Sequence, residues 1–454
     1  MEPEPQPSAP AGIEVQGRRL FKSRAYQEAE ALYLSALALG ESPALYNNCG
    51  YALEMQGKFE AALDCYRKAL LLEPEFEEAL ANRSSVAKRL NLYHEVVECQ
   101  QILTRRLPNN AMILNDLANA YLRLNDHDNA ARIALLHSWK TRGSKYVFHD
   151  VSAVKNKPSA QIGKIQHDVE QLEYLHQLKL LPEELHELPD HYKRALEIIE
   201  KCGSGELADK EIFALPYLSE TYERIVYKHP AERCSGRVLT DAAKDTDVQA
   251  KFAGSETGVV VIDDFLTEEA LKKLQEFCLL STIWNATKYR FGRLGALFRD
   301  GFNAPLLFQI ANELAATLPS VVGTRFPLLH MWAFKYRHDQ PSTTPHADFA
   351  AINVNFWITP DHANLDNDSG GLVVYGAEAP RDWDFDRYNR QGKSIEEYLD
   401  RIGASSIRIP YRCNRAIIFN SDLYHKTEPM TFRQGYLNRR MNVTFLFGDR
   451  RDAF

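Results

Sequence analysis

The run Pro345-His346-Ala347-Asp348-Phe349-Ala350-Ala351-Ile352-Asn353-Val354-Asn355-Phe356-Trp357-Ile358 (residues 345–358) carries two positional signals at once. From Ile352 onward, Asn353 and Asn355 alternate with Ile352, Val354 and Phe356, the two-residue period of a strand with one polar face. Amides on a buried face need hydrogen-bond partners, so Asn353 and Asn355 are candidates to contact a bound molecule or to order other site residues. Just upstream, His346 and Asp348 stand at i and i+2. On an extended segment both project from the same side while Ala347 points away, so an imidazole and a carboxylate can converge on one ion. Among the 14 histidines only His346 has an acidic residue two positions later. The adjacent pairs His127-Asp128, His149-Asp150 and His167-Asp168 point opposite ways on a strand.

After Gly258 the sequence is a series of short β-type runs: Val259 to Ile262, Leu329 to Tyr336, Ile352 to Ile358, Leu372 to Tyr375, Ile407 to Ile409, Ala416 to Phe419 and Met441 to Phe447. Short strands at loop-separated spacing predict a sandwich or barrel. Two flanking helices are expected, one capped by Thr267 ahead of Leu271 and Leu274, the other over Pro305 to Leu318. His425, downstream of the strand Ala416 to Phe419, is placed where a barrel returns a third ligand to His346 and Asp348. Two neutral imidazoles and one carboxylate on one face of an octahedron are what Fe(II) in an oxygenase needs, because the opposite face stays open for cosubstrate and dioxygen.

The last strand adds a cation. Asn438, Arg440, Asn442 and Thr444 alternate with Met441, Val443 and Phe445, so the polar set can line the interior and Arg439 points away. Arginine's planar fork suits a bidentate grip on a carboxylate, and Arg440 is the choice, with Arg433 as its rival. Tyr336, ending an earlier strand, can donate its hydroxyl to the same carboxylate; an ordinary buried tyrosine is the equal alternative.

Together, Val260-Val261-Ile262-Asp263-Asp264-Phe265-Leu266, His346-x-Asp348, Gly370-Gly371-Leu372, His425 and Arg440-x-Asn442-Val443-Thr444-Phe445 resemble the Fe(II)- and 2-oxoglutarate-dependent dioxygenases of the prolyl-4-hydroxylase-like group. The resemblance covers about residues 255 to 454. It implies a double-stranded β-helix (jelly roll), a metal triad of His346, Asp348 and His425, and a cosubstrate held by Arg440 with Tyr336, Asn353, Asn355 and Asn442. The implied reaction couples decarboxylation of 2-oxoglutarate by O2, to succinate and CO2, with hydroxylation of a second substrate. Aspartate at 348, rather than a small residue, disfavours a halogenase.

The N-terminal part obeys a different period. Gly50, Ala62, Tyr66, Ala69 and Pro74 mark one copy of a motif recurring about every 34 residues. Weaker copies keep Ala29, Tyr33 and Ala36, then Leu103 and Pro108, then Tyr121 and Ala130. Small residues let paired helices approach, an aromatic fills the next gap, and proline ends the second helix. These residues resemble tetratricopeptide repeats, with Ser84 standing where glycine or alanine is usual. The resemblance implies a helical solenoid over 13–142 whose concave face takes a protein or peptide partner; a scaffold that only orders the next domain is the other reading.

Between them, 143–254 reads as a helical connector, with Ile165, Val169, Leu172 and Leu175, then Tyr192, Leu196 and Ile199, at helical spacing. Pro182, Pro189, Pro216, Pro230 and Gly203 to Gly205 mark its breaks. Residues 1–12, rich in Pro, Glu and Ala, read as a mobile tail. The expected architecture is thus multidomain α + β: tail, repeat solenoid, connector, and a 255–454 jelly roll with flanking helices.

Bulk properties narrow the function. Lys and Arg number 54 against 61 Asp and Glu, with no long basic run, so no nucleic-acid partner is expected. Seven scattered cysteines without a C-x-x-C suggest neither a zinc site nor a disulfide framework and fit a reducing compartment. Without a leader-like start or a membrane-length apolar window, the expectation is an intracellular, cytoplasmic protein without a membrane. Two other readings stand beside the oxygenase. One is a repeat adaptor whose barrel binds metal without turnover. The other is hydrolytic or isomerising zinc chemistry, which leaves Arg440 without a use.

Overall fold

The computed structural model describes residues 10–146, 159–254, 258–287 and 292–450. The chain divides into two compact units, 1–133 and 134–454.

The first unit is built of antiparallel helix pairs: α1 (Pro10–Lys22), α2 (Tyr26–Leu37), α3 (Pro43–Glu54), α4 (Phe59–Leu72), α5 (Glu77–Arg89), α6 (Tyr93–Arg106), α7 (Ala111–Arg123) and the beginning of α8 (His127–Arg142). Local chemistry sets the helix starts. The Ser42 side chain accepts from the Leu45 N–H with Pro43 in the first turn, and Asn110 accepts from Met112 and Ile113. Gly50 shows why the motif needs a small residue. A Cβ there would sit 2.7 Å from Cε1 of Tyr66, whose buried ring fills the α3–α4 crossing beside Ala62 and Ala69. Ser84, the departure from the pattern, is fully buried and its hydroxyl accepts from Gln100 Nε2 at 2.8 Å. Helix α1 already starts at Pro10, so the last residues assigned to the tail are helical, and residues 1–9 lie outside the described residues.

In the second unit, α9 (Ile162–Gln177), α10 (Leu188–Cys202), α11 (Glu206–Ile212) and α12 (Leu218–Thr221) share a core that includes Ile165, Leu172, Tyr192, Ile199 and Leu218. Pro189 falls in the first turn of α10, and Gly203, at φ 75°, ends it. The expectation of a connector helical throughout is corrected over 222–240. There the backbone donors are taken by side chains instead of a helical ladder. Val226 and Tyr227 donate to Thr282 Oγ1, Cys234 to Gln309 Oε1, and Val238 and Leu239 to the Glu313 carboxylate. Helix α13 (Asp245–Gly254) follows this strap.

The β-region comprises β1 (Val260–Ile262), β2 (Leu294–Leu297), β3 (Leu328–Lys335), β4 (Asp339–Gln340), β5 (Ala350–Trp357), β6 (Leu372–Glu378), β7 (Ser406–Ile409), β8 (Ala416–Asn420), β9 (Leu423–Thr427), β10 (Met430–Thr431) and β11 (Met441–Asp449). Between strands lie α14 (Glu268–Leu280), capped by Thr267 through the Ala270 N–H, then α15 (Pro305–Thr317) and α16 (Gly392–Ile402). An antiparallel six-stranded sheet runs β1-β8-β5-β11-β3-β2, a three-stranded sheet runs β7-β6-β9, and β10 pairs with β4. Trp357, Ile417 and Phe419 of the large sheet share one core with Leu372, Val374 and Leu423 of the small one, so the two sheets enclose a common interior.

Register fixes what lines that interior. Asn353, Leu446 and His330 form one cross-strand row, Asn355, Thr444 and Trp332 the next, and Trp357, Asn442 and Phe334 the third. The intervening Val354, Phe356, Val443, Phe445 and Met331 bury the other face. Among the described residues no helix is long and apolar enough to cross a membrane.

Candidate metal centre

The two histidines are brought together by backbone pairing. His346 and His425 form an isolated bridge, His346 N–H donating to the His425 carbonyl at 3.0 Å and His425 N–H to the His346 carbonyl at 2.9 Å. Their rings lie 4.5 Å apart by centroid. Asp348 is fixed two residues on, where its N–H donates to the Ser421 carbonyl at 3.1 Å. One ligand atom each from His346, Asp348 and His425 lie within 4.8 Å of one another, and the His425 Nε2 is 3.6 Å from Asp348 Oδ2. The spacing expected for an extended H-x-D is realised, but His425 does not sit at the end of β8. It is the middle residue of β9, in the other sheet, and so closes the site from across the interior.

Surrounding bonds select how each ligand presents itself. His346 Nδ1 lies 3.2 Å from the Thr344 carbonyl and His425 Nδ1 3.0 Å from that of Leu423. A carbonyl accepts only, so each Nδ1 carries the proton and each Nε2 lone pair is free for a metal. Burial, with His425 alongside, pulls His346 down to about 4, so near neutral pH its imidazole is in the uncharged form that ligates. Asn353 Nδ2 donates to Asp348 Oδ2 at 2.8 Å, which gives this inward amide the ordering role. The insertion between β6 and β7 grips the intervening residue: Ala347 N–H donates to the Tyr388 carbonyl at 3.1 Å, and Asn389 Nδ2 to the Ala347 carbonyl at 2.7 Å.

Farther along the interior lies a buried cation. Arg440, 1% exposed, precedes β11, and its guanidinium stands 4.7 Å from the Tyr336 ring, 5.6 Å from Trp357 and 5.8 Å from Tyr411. Its Nε donates to the Gly370 carbonyl at 2.7 Å and Nη1 lies 3.4 Å from Asn442 Oδ1. Next to Gly370, Gly371 lets the backbone pack closely on the neighbouring strand, since a Cβ there would fall 1.9 Å from the Ile409 carbonyl oxygen. Among the described residues Arg440 forms no ion pair, and burial holds it below the usual arginine range. For Tyr336, burial raises the phenol, but Arg293 and Arg440 outweigh it and the net shift is downward. The rival Arg433 is exposed and donates to the His362 carbonyl, while Arg439 points away onto Glu170.

Asn355 and Asn442 both donate to Thr444 Oγ1, at 3.1 and 3.4 Å. Among the described residues, three buried polar atoms on the inner face have no partner: Asn353 Oδ1, Asn355 Oδ1 and the indole Nε1 of Trp357. Such atoms are rare unless something else satisfies them. Trp357 was not among the expected site residues, although it continues the alternation of Asn353 and Asn355. Thr427 was also missed. It stands two residues after His425 on β9, as Asp348 follows His346, and its side chain is one of the neighbours that lower the Tyr336 phenol.

The description tetratricopeptide repeat matches residues 43–76. Sperm-associated antigen 1 of Rattus norvegicus is 27% identical over 135 residues, which cover 30% of this chain and 14% of that protein. Among solved structures, YrrB, described as a TPR protein with an unusual peptide-binding site, is 18% identical, with 28% of this chain and 65% of that chain covered at a TM-score of 0.26. SnoK, a non-heme alpha ketoglutarate dependent carbocyclase from nogalamycin biosynthesis, is 12% identical, with 47% and 87% covered at a TM-score of 0.33. The chain therefore spans a small part of its curated relative, and residues 43–76 within its helical array are a tetratricopeptide repeat.

Proposed function

We propose that residues 255–454 form a double-stranded β-helix that acts as an Fe(II)- and 2-oxoglutarate-dependent oxygenase, with the repeats of 13–142 recruiting a protein or peptide. The observation that carries the reading is the meeting of two features in one interior. Three ligand atoms of the right kinds converge within 4.8 Å of one another, and a buried guanidinium has no carboxylate partner among the described residues. An isolated buried charge is costly unless something compensates it. 2-Oxoglutarate suits both features, since one end can chelate a metal and the other is a carboxylate.

His346, Asp348 and His425 would hold the iron on one face. Arg440 would grip the distal carboxylate, with the hydroxyl of Tyr336 and the indole N–H of Trp357 as further donors. The two ends are within reach: His425 and Thr427 project from the same side of β9, about 7 Å apart along the strand, and the Thr427 side chain neighbours Tyr336, whose ring stands 4.7 Å from the Arg440 guanidinium. Asn353 holds the Asp348 carboxylate in place, and the Gly370 carbonyl holds the Arg440 fork. When bound, iron(II) with 2-oxoglutarate and dioxygen supplies the oxidising power for inserting one oxygen atom into a C–H bond of a second substrate, with release of succinate and CO2.

Equilibrium dialysis of iron-loaded protein under argon tests the reading. One 2-oxoglutarate per wild-type chain is expected, and Arg440→Gln should retain iron but lose most of the cosubstrate. Equal retention by the variant contradicts the assignment.

A further inference from the structure

Arg439 and Arg440 are consecutive, chemically identical, and both buried, yet only one can face the interior. Adjacent side chains of an extended segment point opposite ways, so whatever fixes Arg439 also fixes Arg440. The guanidinium of Arg439 forks onto the carboxylate of Glu170, with Nε to Oε2 at 2.7 Å and Nη2 to Oε1 at 2.9 Å. Glu170 belongs to α9, in the segment read from the sequence as a connector without chemistry.

Helix α9 addresses the whole approach to Arg440. His167, Glu170, Gln171 and Tyr174 follow the i, i+3, i+4, i+7 spacing of one helix face. The rings of His167 and Tyr174 lie 5.7 and 5.6 Å from that of Tyr436, which opens the turn leading to Arg440. Gln171 Nε2 donates to the carbonyls of Leu279 and Ser281, and the Tyr436 hydroxyl donates to the same Leu279 carbonyl at 2.5 Å. On the β-region side the backbone is pinned as well: the Thr359 hydroxyl donates to the Arg439 carbonyl at 2.8 Å, and the Tyr336 N–H to the Arg440 carbonyl at 3.0 Å. These backbone bonds fix where the pair lies. The Glu170 carboxylate is the feature that distinguishes the two arginines by charge.

We infer that Glu170 is a positioning residue for 2-oxoglutarate: by binding Arg439 outward it commits Arg440 to the interior carboxylate site. The inference rests on the oxygenase reading. Without the Glu170 charge, Arg439 loses its bidentate partner and competes for the interior, so the guanidinium is delivered less often in the binding geometry.

The test is dialysis of full-length, iron-loaded Glu170→Gln against labelled 2-oxoglutarate under argon, with iron affinity and thermal unfolding measured on the same samples. The 2-oxoglutarate Kd should rise about tenfold, in the lower range for loss of a supporting hydrogen-bond partner, while the Fe(II) Kd is unchanged. Glu170→Asp, which keeps the charge, should recover part of the loss. Glu173→Gln, which removes an exposed partner of Lys193, should bind like wild type. If Glu170→Gln does not fold, Arg439→Lys, which keeps the charge but loses the fork, should still weaken 2-oxoglutarate selectively. Wild-type cosubstrate affinity in the folded variants overturns the inference, as does a parallel loss of iron and cosubstrate. Failure of wild type itself to bind 2-oxoglutarate overturns the oxygenase reading together with it.

Discussion

Arg440 donates its Nε to the carbonyl of Gly370 at 2.7 Å, and this bond joins a fully buried guanidinium to the close-packed glycine pair beside β6. The partner is neutral, so the charge is oriented without being compensated. A buried charge without a counter-charge carries a desolvation cost of several kcal/mol, which an apolar side chain of similar volume removes. Arg440→Met is therefore expected to leave the ligand-free protein as stable as wild type or more so, while abolishing the stabilisation that 2-oxoglutarate gives to iron-loaded wild type. Urea unfolding with and without the cosubstrate checks this. A variant less stable without ligand, yet still stabilised by 2-oxoglutarate, would show that Arg440 serves structure instead.

Asn353 and Asn389 support the ligands from opposite sides, one through the Asp348 carboxylate and the other through the Ala347 carbonyl. Loss of such outer partners costs about 10- to 100-fold in metal affinity at well-characterised sites. Asn353→Ala is expected to weaken Fe(II) by about tenfold, and Asn389→Ala, which acts one residue removed from either ligand, by less. Anaerobic titration against a competing chelator measures both. Wild-type affinity in Asn353→Ala would remove the amide from the site.

Much of this site was legible because strand chemistry has a period of two. His346-x-Asp348, the inward amides Asn353 and Asn355, and the polar set Arg440, Asn442 and Thr444 were all readable from alternation, and the register of β5 against β11 sets Asn355 opposite Thr444 and Asn442 opposite Trp357. The same rule extends to Trp357 and Thr427, but an indole reads as core and a threonine as ordinary strand, so neither stood out. Strand β9 escaped notice because Leu423-Tyr424-His425-Lys426-Thr427 has only one aliphatic residue on its inward side. Nothing local could pair Glu170 with Arg439, which are 269 positions apart. The irregular strap over 222–240 was hidden for a related reason, since its backbone partners Thr282, Gln309 and Glu313 are likewise remote in sequence.

In the repeats, Gly50→Ala tests the packing argument independently of the site. The added methyl would meet the Tyr66 ring at 2.7 Å, and overpacking of this kind costs about 1–3 kcal/mol. A lower unfolding midpoint is expected, with iron and 2-oxoglutarate affinities unchanged. An unaltered midpoint would mean that α3 and α4 have slack at this crossing.

His330 gives a pH dependence with a definite sign. Burial pulls it down to about 4, so as acid is added the unfolded chain takes the proton first, near its ordinary value of about 6.5. The contribution of His330 to stability is therefore intact above about 6.5 and is lost as pH falls toward 4, at no more than about 1.4 kcal/mol per pH unit. Denaturant midpoints of wild type and His330→Asn between pH 7.5 and 5 should diverge, with wild type falling more steeply. Parallel curves would show that this histidine titrates normally.

If His346, Asp348 and His425 hold iron next to a 2-oxoglutarate site, anaerobic titration of the apoprotein with Fe(II) and then 2-oxoglutarate reveals it through the visible charge-transfer band of the chelate, compared in wild type and in His425→Ala. Wild type should show the band at one iron and one 2-oxoglutarate per chain, and the variant should lose it. Iron-loaded wild type that shows no band, or a variant that keeps it at full strength, would rule out this metal and cosubstrate assignment.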